Sequence, residues 1–157
     1  MKYIIFIFLT IFFTSCADKD AFEVFDLKND QKIAFDNFER AKIQKDDKIY
    51  GIATAVYLNK IYNNLPNNKE YVYLVLFTKK KKYLKYFKIK INNNNNMYYE
   101  LKNLPVDNKY SYLINFKNNW QNHYLLTFDK QETKIIPINI ELNNEATATL
   151  NLKKGDI

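Results

Sequence analysis

The sequence predicts an all-β domain. Three observations lead there: apolar residues alternate with polar ones over short runs, polar turn clusters separate those runs at roughly 8–12-residue intervals, and helical periodicity is weak. Residues 17–37 come first and are mixed, with Phe22, Phe25, Ile33, Phe35 and Phe38 scattered among Asp, Lys and Asn. They read as a tether that becomes ordered where its aromatics dock, with a short helix around Asp30–Phe38. From Phe38 the strands begin. Phe38–Lys45 meets Ile49–Leu58 across Asp46-Asp47-Lys48 as a hairpin, and Asn59–Lys69 is a longer loop holding Pro66 among asparagines. Tyr71–Thr78 is apolar on both alternating faces, the pattern of a central strand covered on both sides.

Tyr83–Ile91 puts Phe87, Ile89 and Ile91 on one face and Lys88 and Lys90 on the other. Asn92–Asn96 is a turn, followed by Met97–Asn103 and a break at Leu104-Pro105. Tyr110–Lys117 and His123–Asp129 read as strands flanking an Asn-rich turn that contains Trp120. Lys134–Leu142 alternates well, but Pro137 lacks a ladder donor and demotes this strand to an edge or a bulge. Ala146–Leu152 completes the set, alternating Ala/Leu with Thr/Asn. Some nine strands at this spacing predict an immunoglobulin-like β-sandwich of about 7–9 strands, with a small closed β-barrel as the alternative. Strand pairing, which would separate the two, is not visible in one sequence.

The core has ample material. Thirteen Tyr and twelve Phe can bury a large apolar area without cystine staples, and only one cysteine is present. Glycine occurs only at Gly51 and Gly155, so the abundant asparagine, which tolerates left-handed backbone, takes over the turns.

The N-terminus carries a targeting signal. Lys2 precedes an apolar run from Tyr3 to Phe13, then Thr14-Ser15-Cys16 and the polar Ala17-Asp18-Lys19-Asp20. A charged start, an apolar stretch of roughly 7–15 residues and small residues at its end make a secretory signal, and a bilayer span needs about 20. Phe13-Thr14-Ser15-Cys16 resembles the bacterial lipobox, with Phe13 where leucine is usual. The resemblance implies cleavage before Cys16 and acylation of its thiol. A lone cysteine forms no disulfide within its chain, which leaves the thiol for that use. The division is then a lipoprotein signal peptide at 1–15, a lipidated N-terminus and tether at 16–37, and one β-sandwich domain at 38–157.

Three further stretches carry a wider resemblance: Ala21-Phe22…Phe25-Asp26-Leu27, Ile52-Ala53…Val56-Tyr57-Leu58-Asn59-Lys60-Ile61-Tyr62, and Asn115-Phe116…Trp120…Tyr124-Leu125-Leu126…Phe128. With the lipobox they are similar to small envelope lipoproteins of campylobacterial (epsilon-class) bacteria. That implies a β-sandwich lipoprotein, in some relatives a variant immunoglobulin fold, with no functional residues to carry over.

Catalytic chemistry finds little here. His123 is the sole histidine and Ser111 the sole serine after Ser15, so they form the only Ser–His combination in the processed chain. Both fall in predicted strands, with no glycine-shaped elbow, and His123 reads as a packed strand residue. No cluster offers zinc three or four ligands, and two isolated glycines exclude a phosphate-cradling loop. Asp46-Asp47 suit a hairpin turn, and Asp129 and Glu132 share one loop. No cofactor and no metal are expected.

Charge is the remaining signal. Residues 79–104 hold eight Lys and one Glu, a net +7, while the segments on either side are close to neutral. Lys79, Lys80, Lys81, Lys82, Lys85, Lys88 and Lys90, interleaved with aromatics, form a candidate polyanion-binding stretch, distinct from specific nucleic-acid recognition. The competing explanation is a solvated hairpin turn whose lysines protect a strand edge. These features predict a non-enzymatic lipoprotein of the cell envelope, with the outer membrane ranked above the inner. Its partners would be the membrane, through lipid, and an anionic surface polymer or envelope protein. The alternative is an accessory scaffold of a periplasmic or outer-membrane assembly; an inhibitor of host lysozyme ranks below both, and an enzyme last.

Overall fold

The computed structural model describes residues 28–84, 86–114, 120–142 and 145–154. Residues 1–15, expected to be a signal peptide, together with Cys16 and Lys85, lie outside the described residues. A short helix, α1 (Asn29–Asn37), leads without a loop into β1 (Phe38–Lys45). Its first turn is closed by Gln31, whose Oε1 accepts the Lys28 N–H at 3.0 Å. Its last turn is held by Asn37, which donates to the Ile33 carbonyl at 2.7 Å. Ala34 is the residue that docks, fully buried against Val56 and Leu58. The expected aromatic docking fails for Phe35 and Phe38: both are exposed and pack edge-to-face on each other at 6.0 Å. Only a small side chain lets the helix lie close to the sheet.

The other strands are β2 (Lys48–Tyr57), β3 (Lys69–Thr78), β4 (Phe87–Ile91), β5 (Tyr99–Leu104), β6 (Gln121–Asp129), β7 (Ile135–Leu142) and β8 (Thr147–Lys153). All eight join one antiparallel sheet in the order β4-β7-β8-β1-β2-β3-β6-β5. The sheet curls into a half-barrel. The all-β prediction holds, and the layers of the predicted sandwich are the two arms of this one sheet. Phe87 on β4 and Tyr124 on β6, at far-apart places in the strand order, meet across the interior with ring centroids 5.4 Å apart.

Two features at the centre of the sheet favour the bend. The register of β1 shifts between Ile43 and Gln44, and such a bulge bends its strand and increases twist. Gly51, the partner of Ile43, lies so close to β3 that an added Cβ would sit 2.3 Å from the Phe77 carbonyl oxygen. No residue with a side chain fits there without moving backbone.

The concave face is the core. Ala53, Ala55, Val72, Leu74, Leu76, Leu126 and Phe128 from one arm pack against Ile89, Ile91, Ile136, Ile138, Ile140, Leu150 and Leu152 from the other. On the convex face, the half nearest α1 is covered by described residues. There Tyr110, Leu113 and Ile114, from the connection after β5, close over Val56, Leu58, Tyr73 and Val75.

Two predicted elements change. Tyr110–Lys117 is not a strand within its described part: Ser111–Leu113 is a 3-10 turn. The cause is local, since Asn108 Oδ1 accepts the Tyr110 N–H at 2.9 Å and curls the chain so that Tyr110 lands on Tyr73. β7 is an interior strand, between β4 and β8, despite Pro137. The Pro137 carbonyl faces the β4 side, where it accepts the Asn92 N–H at 2.8 Å, and regular pairing with β4 has ended at Ile138. The proline nitrogen points the same way, toward a neighbour already turning off, so no ladder bond is lost. Asn92 and Asn93 make that turn with φ of 56° and 57°, as the asparagine-for-glycine reading expects.

One end of the interior is closed by charge. Glu70 at the start of β3 and Lys154 just after β8 sit 2.5 Å apart with side chains 2 % and 8 % exposed. Tyr57 donates its hydroxyl to Glu70 Oε2 at 2.5 Å, and the Gln131 N–H donates to Oε1 at 3.0 Å. Lys154 also donates to the Gln131 carbonyl. Burial pushes the Glu70 carboxyl up, but the Gln131 N–H, Lys154 and Tyr57 outweigh it and hold it below the usual range. The same burial and the Glu70 carboxylate push the Tyr57 hydroxyl well up. This network clasps the two arms of the sheet together.

Candidate functional site

Cross-strand register aligns two rows of side chains on the other half of the convex face. Paired residues in antiparallel strands point to the same side. Arg40, Thr54, Val75 and His123 are successive partners across β1, β2, β3 and β6. Lys42, Ile52, Phe77 and Gln121 make the next row. Between them lies a pocket of about 230 Å3, lined by Arg40, Ile52, Thr54, Val75, Phe77, Ile114 and Gln121. Its floor is apolar and its ends are polar.

Gln121 lines the β6 side, and His123 lies two residues further along the same strand, outside the lining. His123 is 3 % exposed, and its Nδ1 lies 2.6 Å from the Tyr73 hydroxyl. Asn108 Nδ2 donates to that same oxygen at 3.3 Å. With the Tyr73 oxygen accepting from Asn108, its proton goes to His123 Nδ1, and the ring proton of the neutral imidazole sits on Nε2. Burial holds the His123 pKa below its ordinary value, which favours that neutral form. Among the described residues the Nε2–H then has no partner, and neither does Gln121 Oε1; both atoms are buried. One orphan donor and one orphan acceptor stand two residues apart on one face of β6.

Ser111 does not join His123. Its hydroxyl donates to the Asn108 carbonyl at 2.8 Å. Asp129 lies six residues along β6 from His123, about 20 Å away at strand rise, and it faces Lys69 at 3.6 Å. Among the described residues no three His, Cys, Asp or Glu side chains gather as a metal site.

The lysine stretch divides. Lys79 and Lys80 are exposed just beyond β3, and Lys81–Leu84 forms a 3-10 turn that carries the chain over the rim of the half-barrel. Tyr83 from that turn packs edge-to-face on Tyr50 at 5.5 Å, with Lys48 Nζ 5.5 Å from the Tyr50 ring centre. Lys48 therefore joins the basic end. Lys88 and Lys90 instead run along the outer face of β4, where Lys90 lies 3.4 Å from Glu141. The stretch predicted as one strand from Tyr83 starts its strand only at Phe87.

Comparison with family models, curated proteins and solved structures returns no match. The residues of the site stand on their own geometry. Sequence reasoning singled out His123 and the lysines but missed Gln121, Thr54, Arg40, Tyr73 and Asn108. One signal was readable: on the face of β6 that also carries Leu125, the residues at 121 and 123 are polar.

Proposed function

We propose that the protein is a non-enzymatic lipoprotein of the cell envelope, anchored through Cys16, that presents its basic end to an anionic surface polymer. The observation that carries this is the polarity of the fold. The described chain enters at Lys28, whose Nζ is 5.9 Å from the Tyr112 ring, and Tyr112 bonds Tyr62 at 2.7 Å in the loop before β3. Lys79 and Lys80 follow the other end of β3, ten residues long and so spanning about 30 Å. The entry of the described chain and Lys79–Lys80 are therefore at opposite ends of the strands. Residues 17–27 reach at most about 40 Å if extended, enough to hold the domain off a bilayer with Lys79 and Lys80 at its far end.

Two further facts support the reading. Neither Lys79 nor Lys80 has a carboxylate partner among the described residues, so their charge is available. No helix among the described residues is long and apolar enough to cross a membrane. Two or more acyl chains anchor stably where one does not.

The anchor is tested by the mass of the mature N-terminus: acylated Cys16 is expected, and a free thiol there refutes it. The basic end is tested on immobilised dextran sulfate. A Lys79–Lys82→Ser variant should elute at clearly lower salt than the parent; equal elution removes the polyanion role.

A further inference from the structure

We infer that β5 pairs with β5 of a second copy of this chain, joining two half-barrels into one continuous sheet about a two-fold axis. The strand order ends on β5, which pairs with β6 on one side and with no other strand among the described residues. A bare edge of this kind offers a row of unpaired backbone donors and acceptors, a template for another strand.

Charge selects both the occupant and the register. Glu100 and Lys102 are the exposed residues on the convex face of β5, and neither has an ion pair or side-chain hydrogen bond among the described residues. In a symmetric antiparallel pair, residue i faces j and j faces i. Centring the axis on Glu100 sets Glu100 against itself, and centring it on Lys102 sets Lys102 against itself; like charges directly opposite are destabilising. Centring it on Leu101 sets Glu100 opposite Lys102 of the second copy, and does so twice. The same register lays Tyr98, 77 % exposed and one residue before β5, against the half-buried Leu104.

The other edge of the sheet refuses the same pairing. β4 carries Lys88 and Lys90 on its outer face, so an axis on Lys88, Ile89 or Lys90 always sets lysine against lysine. One edge is protected and the other is self-complementary. Six residues a side make a small contact, so the dimer is reversible and follows concentration. The axis reverses the strands, which puts the chain entry of each copy at the end where the other holds Lys79 and Lys80. The roughly 40 Å reach of residues 17–27 exceeds the about 30 Å of a ten-residue strand, so both copies can share one bilayer.

The test is sedimentation of the intact mature protein in density-matched detergent over a range of concentrations. The parent should pass from monomer to dimer. Glu100→Lys and Lys102→Glu should each weaken the dimer at least tenfold, since each sets like charges opposite at two places. The double swap Glu100→Lys/Lys102→Glu should restore it to within about threefold of the parent, which a folding artefact of either single variant would not do. Register is read by disulfide trapping: a mixture of Glu100→Cys and Lys102→Cys should cross-link, and either variant alone should not, because equivalent residues lie two positions out of register. A monomeric parent overturns the inference and leaves the edge to a different partner. Dimers indifferent to the single reversals, or a folded double swap that stays monomeric, overturn it as well.

Discussion

Replacing Lys154 by methionine should cost about 3–5 kcal/mol of folding stability at neutral pH. The cause is not the lost attraction but the stranded carboxylate. Glu70 is 1 % exposed, and removing one partner of a buried ion pair leaves an uncompensated charge in the interior. Adding Glu70→Gln to Lys154→Met should recover much of the loss, because the charge is gone, the amide oxygen can still accept from the Gln131 N–H, and the amide NH2 can donate to the Tyr57 hydroxyl oxygen. Acidity gives a second reading. In the parent the Gln131 N–H, Lys154 and Tyr57 hold the Glu70 carboxyl below the ordinary carboxylate range. Its contribution is thus present above the unfolded pKa and fades as pH falls through the folded one. In Lys154→Met the carboxylate is unfavourable, so protonation relieves it, and the gap between variant and parent should narrow on acidification. Urea melts at pH 7 and pH 3 measure both, and a gap that is small or independent of pH would refute the clasp.

Phe128→Ala is expected to cost a similar amount, about 3–5 kcal/mol. Phe128 is 1 % exposed and is the direct cross-strand partner of Glu70 on β6. Truncation opens a cavity in the core and lets water reach the carboxylate that Lys154 neutralises. The two substitutions should therefore not add. The double variant is expected to be more stable than the sum of the single losses by about 0.5–3 kcal/mol, the range for residues in one network. Strict additivity in guanidinium melts would show that ring and ion pair are independent.

How far the sequence reveals this molecule depends on the range of the interaction. β1 runs over the residues expected, as does nearly all of β2, β3 and β8, because period-two alternation is local. Asp46, with φ of 51°, and the Asn92–Asn93 turn were legible for the same reason. Pro137 misled because a missing donor matters only if a neighbour needs it, and where β4 stops is a tertiary fact. Tyr110–Lys117 misled because its apolar alternation matches a strand while Asn108 bonds it into a turn. The clasp was invisible: Glu70, Gln131 and Lys154 are ordinary charged or polar residues far apart in sequence. The pocket was half visible. His123 announced itself as the one histidine, but its neighbours Thr54 and Arg40 are set by register across four strands.

The strand order also sets a timetable. β4 is followed directly by β5 along the chain, yet the two lie on opposite edges of the sheet, and β4 pairs with β7. As the polypeptide emerges from N- to C-terminus, β1, β2 and β3 can pair in turn, but β4 must wait for a strand that starts some forty residues later. β8 is the last to appear, and it alone joins β1 to the arm that holds β7 and β4. A nascent chain lacking its final strand can assemble β1, β2, β3, β6 and β5 but has nothing to lay across their apolar face. Completion is deferred until the end of the domain has arrived, so the chain cannot close over its own apolar face before the last strand is made.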